Sequence, residues 1–272
     1  MNITVGIDPR YMRGKRGKLK RLEYWREGVE SQGDELLLMR DNNFFDIGLT
    51  WGVNSQCRMV SQCSRHVVME YAFLGDRARK EYYIGYSALN GLGQPLLPAE
   101  VGGGERWYHK LKPHKEGVKN ILILGQMPKD ANLAAFSSKN RVKGYMKWLR
   151  GQIIHYHSLG YNVRYKLHPK HGLNSLGLPN TASFSDIQDA FSWGDAAVAF
   201  NSNSLVEAAI AGLYVIPSHV GSMAWNIRSR EGHWRKLTLK DRQRWLDHVD
   251  SFQWSGEDIT SGKVWKIIKE SF

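Results

Sequence analysis

Cysteine is scarce in this chain: Cys57 and Cys63 are the only two among 272 residues. Five residues separate them, and no second ligand pair at zinc spacing completes a metal site. Both are read as free thiols rather than a disulfide. Long hydrophobic runs are missing as well. No stretch reaches eighteen consecutive apolar residues, so no membrane span is expected. The opening "MNITVGIDPR" lacks the basic-then-apolar pattern of a signal peptide. A cytoplasmic protein is expected.

Several catalytic signatures are absent too. There is no G-x-x-x-x-G-K-[ST] loop, which argues against a P-loop kinase or ATPase. No G-x-G-x-x-G follows a strand, and "NGLG" is too short to count, so a dinucleotide oxidoreductase is disfavoured. There is no G-x-S-x-G nucleophile elbow. No D-x-D occurs, which disfavours transferases that hold a sugar diphosphate through a metal.

Acid is in short supply. Lys and Arg total 38 against 26 Asp and Glu, a formal net charge of +12. That balance favours a polyanionic partner. The excess is also local. "RYMRGKRGKLKR" holds seven basic residues and no acid: Arg10, Arg13, Lys15, Arg16, Lys18, Lys20 and Arg21. One reading is a solvated loop leading into a helix. The other is a flexible arm, loosened by Gly14 and Gly17, that lies on phosphate backbone.

What is present follows an α/β pattern. Ile3–Ile7 reads as a strand, and a helix near Leu19–Ser31 stops at Gly33. "FFDIGLTWGV" and "HVVMEYAFLG" have the length of buried strands. A Gly- and charge-rich stretch from Val101 to Gly117 reads as a linker between two halves. In the second half "NILILGQMP", "YNVRYKLHP", "DAAVAF" and "LYVIP" are strands. They alternate with helices at Asn140–Ser158, "DIQDAFSW" and "SLVEAAIA". Alternation of this kind implies right-handed βαβ units and a parallel sheet.

In such a sheet ligands bind beyond the carboxyl ends of the strands. Three strand ends of the second half carry polar residues: "GQMPKD" with Gln126, "YKLHPK" with Lys166, His168 and Pro169, and "FNSNS" with Ser202, Asn203 and Ser204. Short hydroxyl and amide side chains before a helix suit a phosphate or diphosphate. Ser204 and Glu207 also form S-x-x-E, a capping box that needs no ligand. Capping leaves Ser202 and Asn203 without a role. His171 could pair with His168 on a metal, but no carboxylate or cysteine accompanies them, and no metal is expected.

The combination of "LHP", "FNSNSLVEAAIAGLYVI" and "FQWSGEDITSGKVWKII" resembles the capsular-polysaccharide-type glycosyltransferases, including their bacteriophage-encoded relatives. The resemblance is good over Ile121–Ile268 and weaker in "VVMEYAFLGDR" and "SALNGLGQ". It implies a GT-B-like α/β fold: two Rossmann-like domains with parallel sheets facing across a cleft. The expected boundaries are 1–112 on the acceptor side, 118–245 for the nucleotide sugar, and 246–272 as a helix returning to the first domain. It implies a transferase with a nucleotide-sugar donor and no cofactor, and the missing D-x-D leads to the expectation that transfer needs no metal. Gln126, Lys166, His168, Pro169, Ser202, Asn203, Ser204 and Glu207 would contact the donor, with Glu207 on the ribose hydroxyls. Lys166 departs from the family's arginine.

An inverting transfer needs a carboxylate base near the acceptor hydroxyl. Glu70 is favoured, with Asp76 and Asp8 as rivals, while Asp76 beside Arg77 also suits a surface ion pair. The charge and the basic tract, with the resemblance, point to double-stranded phage DNA carrying hydroxymethylated bases as acceptor. Capsule or other surface polysaccharide is the alternative. A DNA-binding protein without catalysis is the third reading.

Overall fold

Apolar runs become strands and helical periodicities become helices in the computed structural model, which describes residues 3–8, 16–39, 43–52, 61–74, 81–97, 110–128, 130–136, 140–170, 176 and 183–271. In chain order the elements are β1 (Val5–Ile7), α1 (Arg16–Glu30), β2 (Leu36–Leu38), β3 (Phe45–Trp51), β4 (Cys63–Tyr71), β5 (Glu81–Tyr86) and β6 (Gln94–Pro95). Then follow β7 (Asn120–Leu124), α2 (Arg141–Ser158), β8 (Asn162–Lys166), α3 (Ile187–Trp193), β9 (Ala196–Ala199), α4 (Ser204–Ile210) and β10 (Tyr214–Pro217). The chain ends with α5 (Leu239–Asp250), β11 (Gln253–Ser255), α6 (Gly256–Thr260) and α7 (Lys263–Glu270). Two units result: Met1–Gly104 with Asp247–Phe272, and Glu105–Leu246.

The first unit is built on a sheet in the order β11-β5-β4-β3-β1-β2, with β6 against β5. β2, β1, β3 and β4 run parallel. β5 is antiparallel to β4, β6 and β11, so this sheet is mixed and not parallel throughout as the pattern implied. The period of two sends Val5, Ile7, Ile47, Leu49, Val67 and Met69 to one face, where Trp25 and Val29 of α1 cover them. The Trp25 indole N–H donates to the Met69 sulfur at 3.2 Å. The C-terminal segment is a strand and two short helices rather than one helix, and Trp254, Ile259, Val264, Trp265 and Ile268 join the same core. Gly28 lets α1 approach α6 closely, since a Cβ there would lie 2.0 Å from the Ile259 carbonyl oxygen.

The second unit is simpler. Its sheet runs β10-β9-β7-β8, parallel throughout. β7 and β9 are central and apolar on both faces, as a covered parallel strand must be. Tyr145, Leu149, Ile153 and Tyr156 form the buried stripe of α2 against Ile121, Ile123 and Val163. Asp186 begins α3 by accepting from the N–H groups of Gln188 and Asp189.

Three partly or wholly buried histidines tie stability to pH. The Nε2 of His66 lies 2.9 Å from the Thr50 hydroxyl, and its Nδ1 is sealed without a partner. Burial pulls His66, His114 and His248 below the usual imidazole range, with Arg242 and Lys236 adding repulsion at His114. Below about pH 6.5 the unfolded chain takes up these protons and the folded chain does not. Their contribution is therefore complete above that pH and declines as the pH falls, by at most about 1.4 kcal/mol per pH unit per histidine. Urea denaturation should give a lower midpoint at pH 5.5 than at 7.5. An equal or higher midpoint at 5.5 would count against these assignments.

Candidate functional site

Because all strands of the second unit run parallel, their carboxyl ends share one edge. β7 delivers Gly125 and Gln126 there, β8 delivers Leu167, His168 and Pro169, and β9 delivers Phe200, Asn201 and Ser202. Gln126 and Asn201 are 6% and 5% exposed and bond to each other twice. The Gln126 side-chain amide donates to Asn201 Oδ1 at 2.8 Å, and the Asn201 backbone N–H donates to Gln126 Oε1 at 3.1 Å. The Asn201 amide also donates to the Asn132 carbonyl at 2.9 Å, and the Gln126 N–H to the Tyr145 hydroxyl at 2.6 Å. Gln126, expected as a donor contact, is bonded to Asn201 and braces the turn after β9.

Past that brace the side chains open to solvent. Ser202 and Ser204 are half-buried, and Asn203 and Glu207 are exposed. The capping box expected from Ser204 and Glu207 is not formed. Asn203 already has helical backbone angles, φ −62° and ψ −24°, so the helix starts one residue too early for Ser204 to be its cap. The Ser204 N–H is instead bonded to the Ser202 hydroxyl at 3.3 Å. A true capping box closes at Ser255 and Asp258.

At the end of β8, Lys166 turns its ammonium back to the Leu167 carbonyl at 2.9 Å. His168 Nδ1 accepts the Lys170 N–H at 3.1 Å, which leaves the ring proton on Nε2. Pro169 is exposed. A fourth strand end escaped the sequence reading. Ser218 and His219 follow β10; the His219 ring lies 5.1 Å from Phe200, and its Nδ1 accepts the Gly221 N–H at 3.0 Å. The signal was available: "PSH" closes an apolar run just as "LHP" does.

In the first unit the parallel part of the sheet has its own carboxyl edge. Asp8 follows β1, is 4% exposed, and donates its N–H to the Leu49 carbonyl at 3.1 Å. Glu70 stands near the end of β4, half-buried; it accepts the Tyr71 N–H at 3.0 Å and packs over Gly52, whose φ is +65°. Two strand spacings, roughly 10 Å, separate β1 from β4. Asp76 lies outside the described residues.

The basic tract is not one arm. Arg10, Arg13 and Lys15 lie outside the described residues, while Arg16, Lys18, Lys20 and Arg21 belong to α1. Gly17 is helical. Lys20 is exposed, but Arg21 is 7% exposed, its guanidinium carbon 3.8 Å from the Trp51 ring centre and 4.8 Å from that of Tyr71. Arg21 falls on the stripe of α1 that carries Leu22, Trp25 and Val29, which is why it turns inward. Cys63 is a buried free thiol. Among the described residues no three His, Cys, Asp or Glu side chains gather as a metal cluster, and no helix is long and apolar enough to cross a membrane.

No known protein family matches the sequence, and no curated protein does. Solved structures do. The beta Kdo 2,7 transferase of Thermosulfurimonas dismutans KpsC matches with a TM-score of 0.59 at 14% identity, over 100% of both chains. The beta Kdo 2,4 transferase of the same KpsC matches with a TM-score of 0.56 at 14% identity, over 97% of this chain and 98% of that one. At this identity the likeness is one of fold: along its full length, the chain folds in the manner of these two sugar transferases.

Proposed function

We propose that the chain is a glycosyltransferase of the GT-B kind, which moves a sugar from a nucleotide-activated donor to a saccharide of the capsule or cell-surface type. The observation that carries this reading is the convergence of polar strand ends on one edge of an all-parallel sheet, in a chain with the fold of two sugar transferases. On this reading Lys166, His168, Pro169, Ser202, Asn203, Ser204 and Glu207 receive the donor, and Gln126 positions Asn201 behind them. His168 Nε2–H would donate to a phosphate oxygen. Glu70 would serve as the carboxylate at the acceptor hydroxyl, with Asp8 and Asp76 as rivals. Glu70 has the better access, since Asp8 is nearly sealed. Transfer on this reading needs no metal.

Both neighbours are named Kdo transferases, so activated Kdo is the first donor to try, on a panel of short saccharides. Mass spectrometry of the products should show one added sugar. Consumption of no donor with any acceptor would remove the transferase reading. Modified DNA belongs in the same panel as the second reading, which the charge of +12 favours. The same charge suits an anionic polysaccharide, and the inward turn of Arg21 weakens the case for a DNA-binding arm.

His168→Ala should weaken donor binding by tenfold or more, since loss of one hydrogen bond to a charged group costs about 1.5–3 kcal/mol. The fold should survive, because the ring is only half-buried. Calorimetric titration with the nucleotide sugar checks this, and an unchanged affinity would take His168 out of the site.

A further inference from the structure

A buried arginine ordinarily lies against a carboxylate, since an unpaired buried charge is costly. Arg21 does not: among the described residues neither Asp nor Glu pairs with it, although it is 7% exposed. Its guanidinium donates to the Tyr71 hydroxyl and stacks on the Trp51 ring. Trp51 and Tyr71 stand edge to face, with ring centres 5.1 Å apart. They end β3 and β4, which run parallel, so the cation sits at a carboxyl edge where open sheets take their ligands. No Arg21 nitrogen is both sealed from solvent and unpaired. Tyr71 remains 44% exposed beside it.

We infer that Arg21, Trp51 and Tyr71 form a subsite for an anionic sugar. The Trp51 ring backs the fork of Arg21, which receives the oxyanion group, and the exposed part of Tyr71 meets the sugar ring. A planar fork matches a carboxylate or phosphate through two parallel N–H bonds. The rings hold that fork in place before any ligand arrives, so little side-chain entropy is lost on binding. Duplex DNA suits this place poorly. Its phosphates are neutralised by several exposed cations at once, not by one recessed guanidinium. The subsite rests on the transferase reading only in that the bound sugar is the acceptor.

The test is a ligand-observed NMR titration of the full chain with methyl glucuronoside, its neutral methyl ester, and glucose 1-phosphate. Wild type should bind the acid about tenfold or more tightly than the ester, as one charge-assisted contact implies. Arg21→Gln should abolish that preference, and Arg21→Lys should keep only part of it. If the sugar phosphate is the tighter ligand and shows the same Arg21 dependence, the subsite stands with phosphate as its anion. Equal binding of acid and ester by wild type overturns the proposal. So does an acid preference that survives in both variants, which would leave Arg21 a structural clamp. So does displacement of the acid by a short DNA duplex with steep salt dependence. Should Arg21→Gln fail to fold, the acid–ester comparison in wild type and Arg21→Lys decides alone. Donor titration runs in parallel: a chain that binds no nucleotide sugar but keeps the Arg21-dependent acid preference loses the transferase reading and keeps the subsite.

Discussion

Arg242→Ala should destabilise the second unit by about 3–5 kcal/mol, in the range of deleting a large core side chain. Arg242 is 0% exposed. Its guanidinium donates to the Lys112 carbonyl at 2.6 Å and to the Ala209 carbonyl, and its Nε has no partner. Burial pushes its pKa down to about 10, the mark of a cation the interior penalises. Two effects therefore oppose each other. Ala removes charge-assisted bonds and leaves a cavity, while it also relieves the buried charge. The cavity and the abandoned Lys112 carbonyl dominate, since the Ala209 carbonyl keeps the Gly212 N–H at 3.1 Å. Arg242→Met separates the terms. It preserves most of the volume and should cost about 1–3 kcal/mol, the lost bonds less the relieved desolvation. Equilibrium urea denaturation of both variants gives the comparison. If Ala lies within about 1 kcal/mol of wild type, Arg242 does not hold the end of α4 to the segment before β7.

The brace between Gln126 and Asn201 gives the second large effect. Asn201→Leu keeps the backbone N–H that Gln126 Oε1 accepts but leaves the Gln126 side-chain N–H and the Asn132 carbonyl without their partner, and each orphan costs about 1–3 kcal/mol. Gln126→Leu should cost about 1–3 kcal/mol by the same reasoning. The pair Gln126→Leu with Asn201→Leu should cost clearly less than the sum of the two singles, because each substitution removes the group the other would strand. Strict additivity would mean the two side chains act independently. Donor affinity is the functional readout. If Asn201 sets the turn that carries Ser202 and Asn203, its replacement should weaken nucleotide-sugar binding even at temperatures where the variant stays folded.

Much of the second unit was legible because each strand is a short apolar run and each helix a clean periodic stretch. "NILIL" and "AAVA" read as covered strands from their length and their alternation with helices, and α2 shows its stripe directly. The antiparallel half of the first sheet was not legible. β5 pairs with β11 at Tyr83 and Gln253, and no local pattern announces a pairing across so much chain. Among the site residues, three polar strand ends were visible because polar side chains interrupt apolar runs. His219 obeys the same rule and was equally visible. Arg21 was harder to place because six like charges accompany it in sequence, where a solvated tract is the plain reading. Its spacing to Trp25 and Val29, four and eight residues on, puts it on the buried stripe all the same.

The discontinuous first unit has a consequence for the chain as it leaves the ribosome. β11 and the residues Trp254, Ile259, Val264, Trp265 and Ile268 complete a core begun by Val5 and Ile7. The second unit is continuous from Glu105 to Leu246, so it can close while synthesis proceeds. The mixed sheet must instead wait with Glu81, Tyr82 and Tyr83 of β5 lacking their β11 partners until Gln253–Ser255 emerges. An exposed strand edge in a nascent chain is a template for association with other chains. Holdase chaperones on translating ribosomes should therefore engage the first hundred residues for longer than the middle of the chain, and release them only after Trp265 has cleared the exit tunnel.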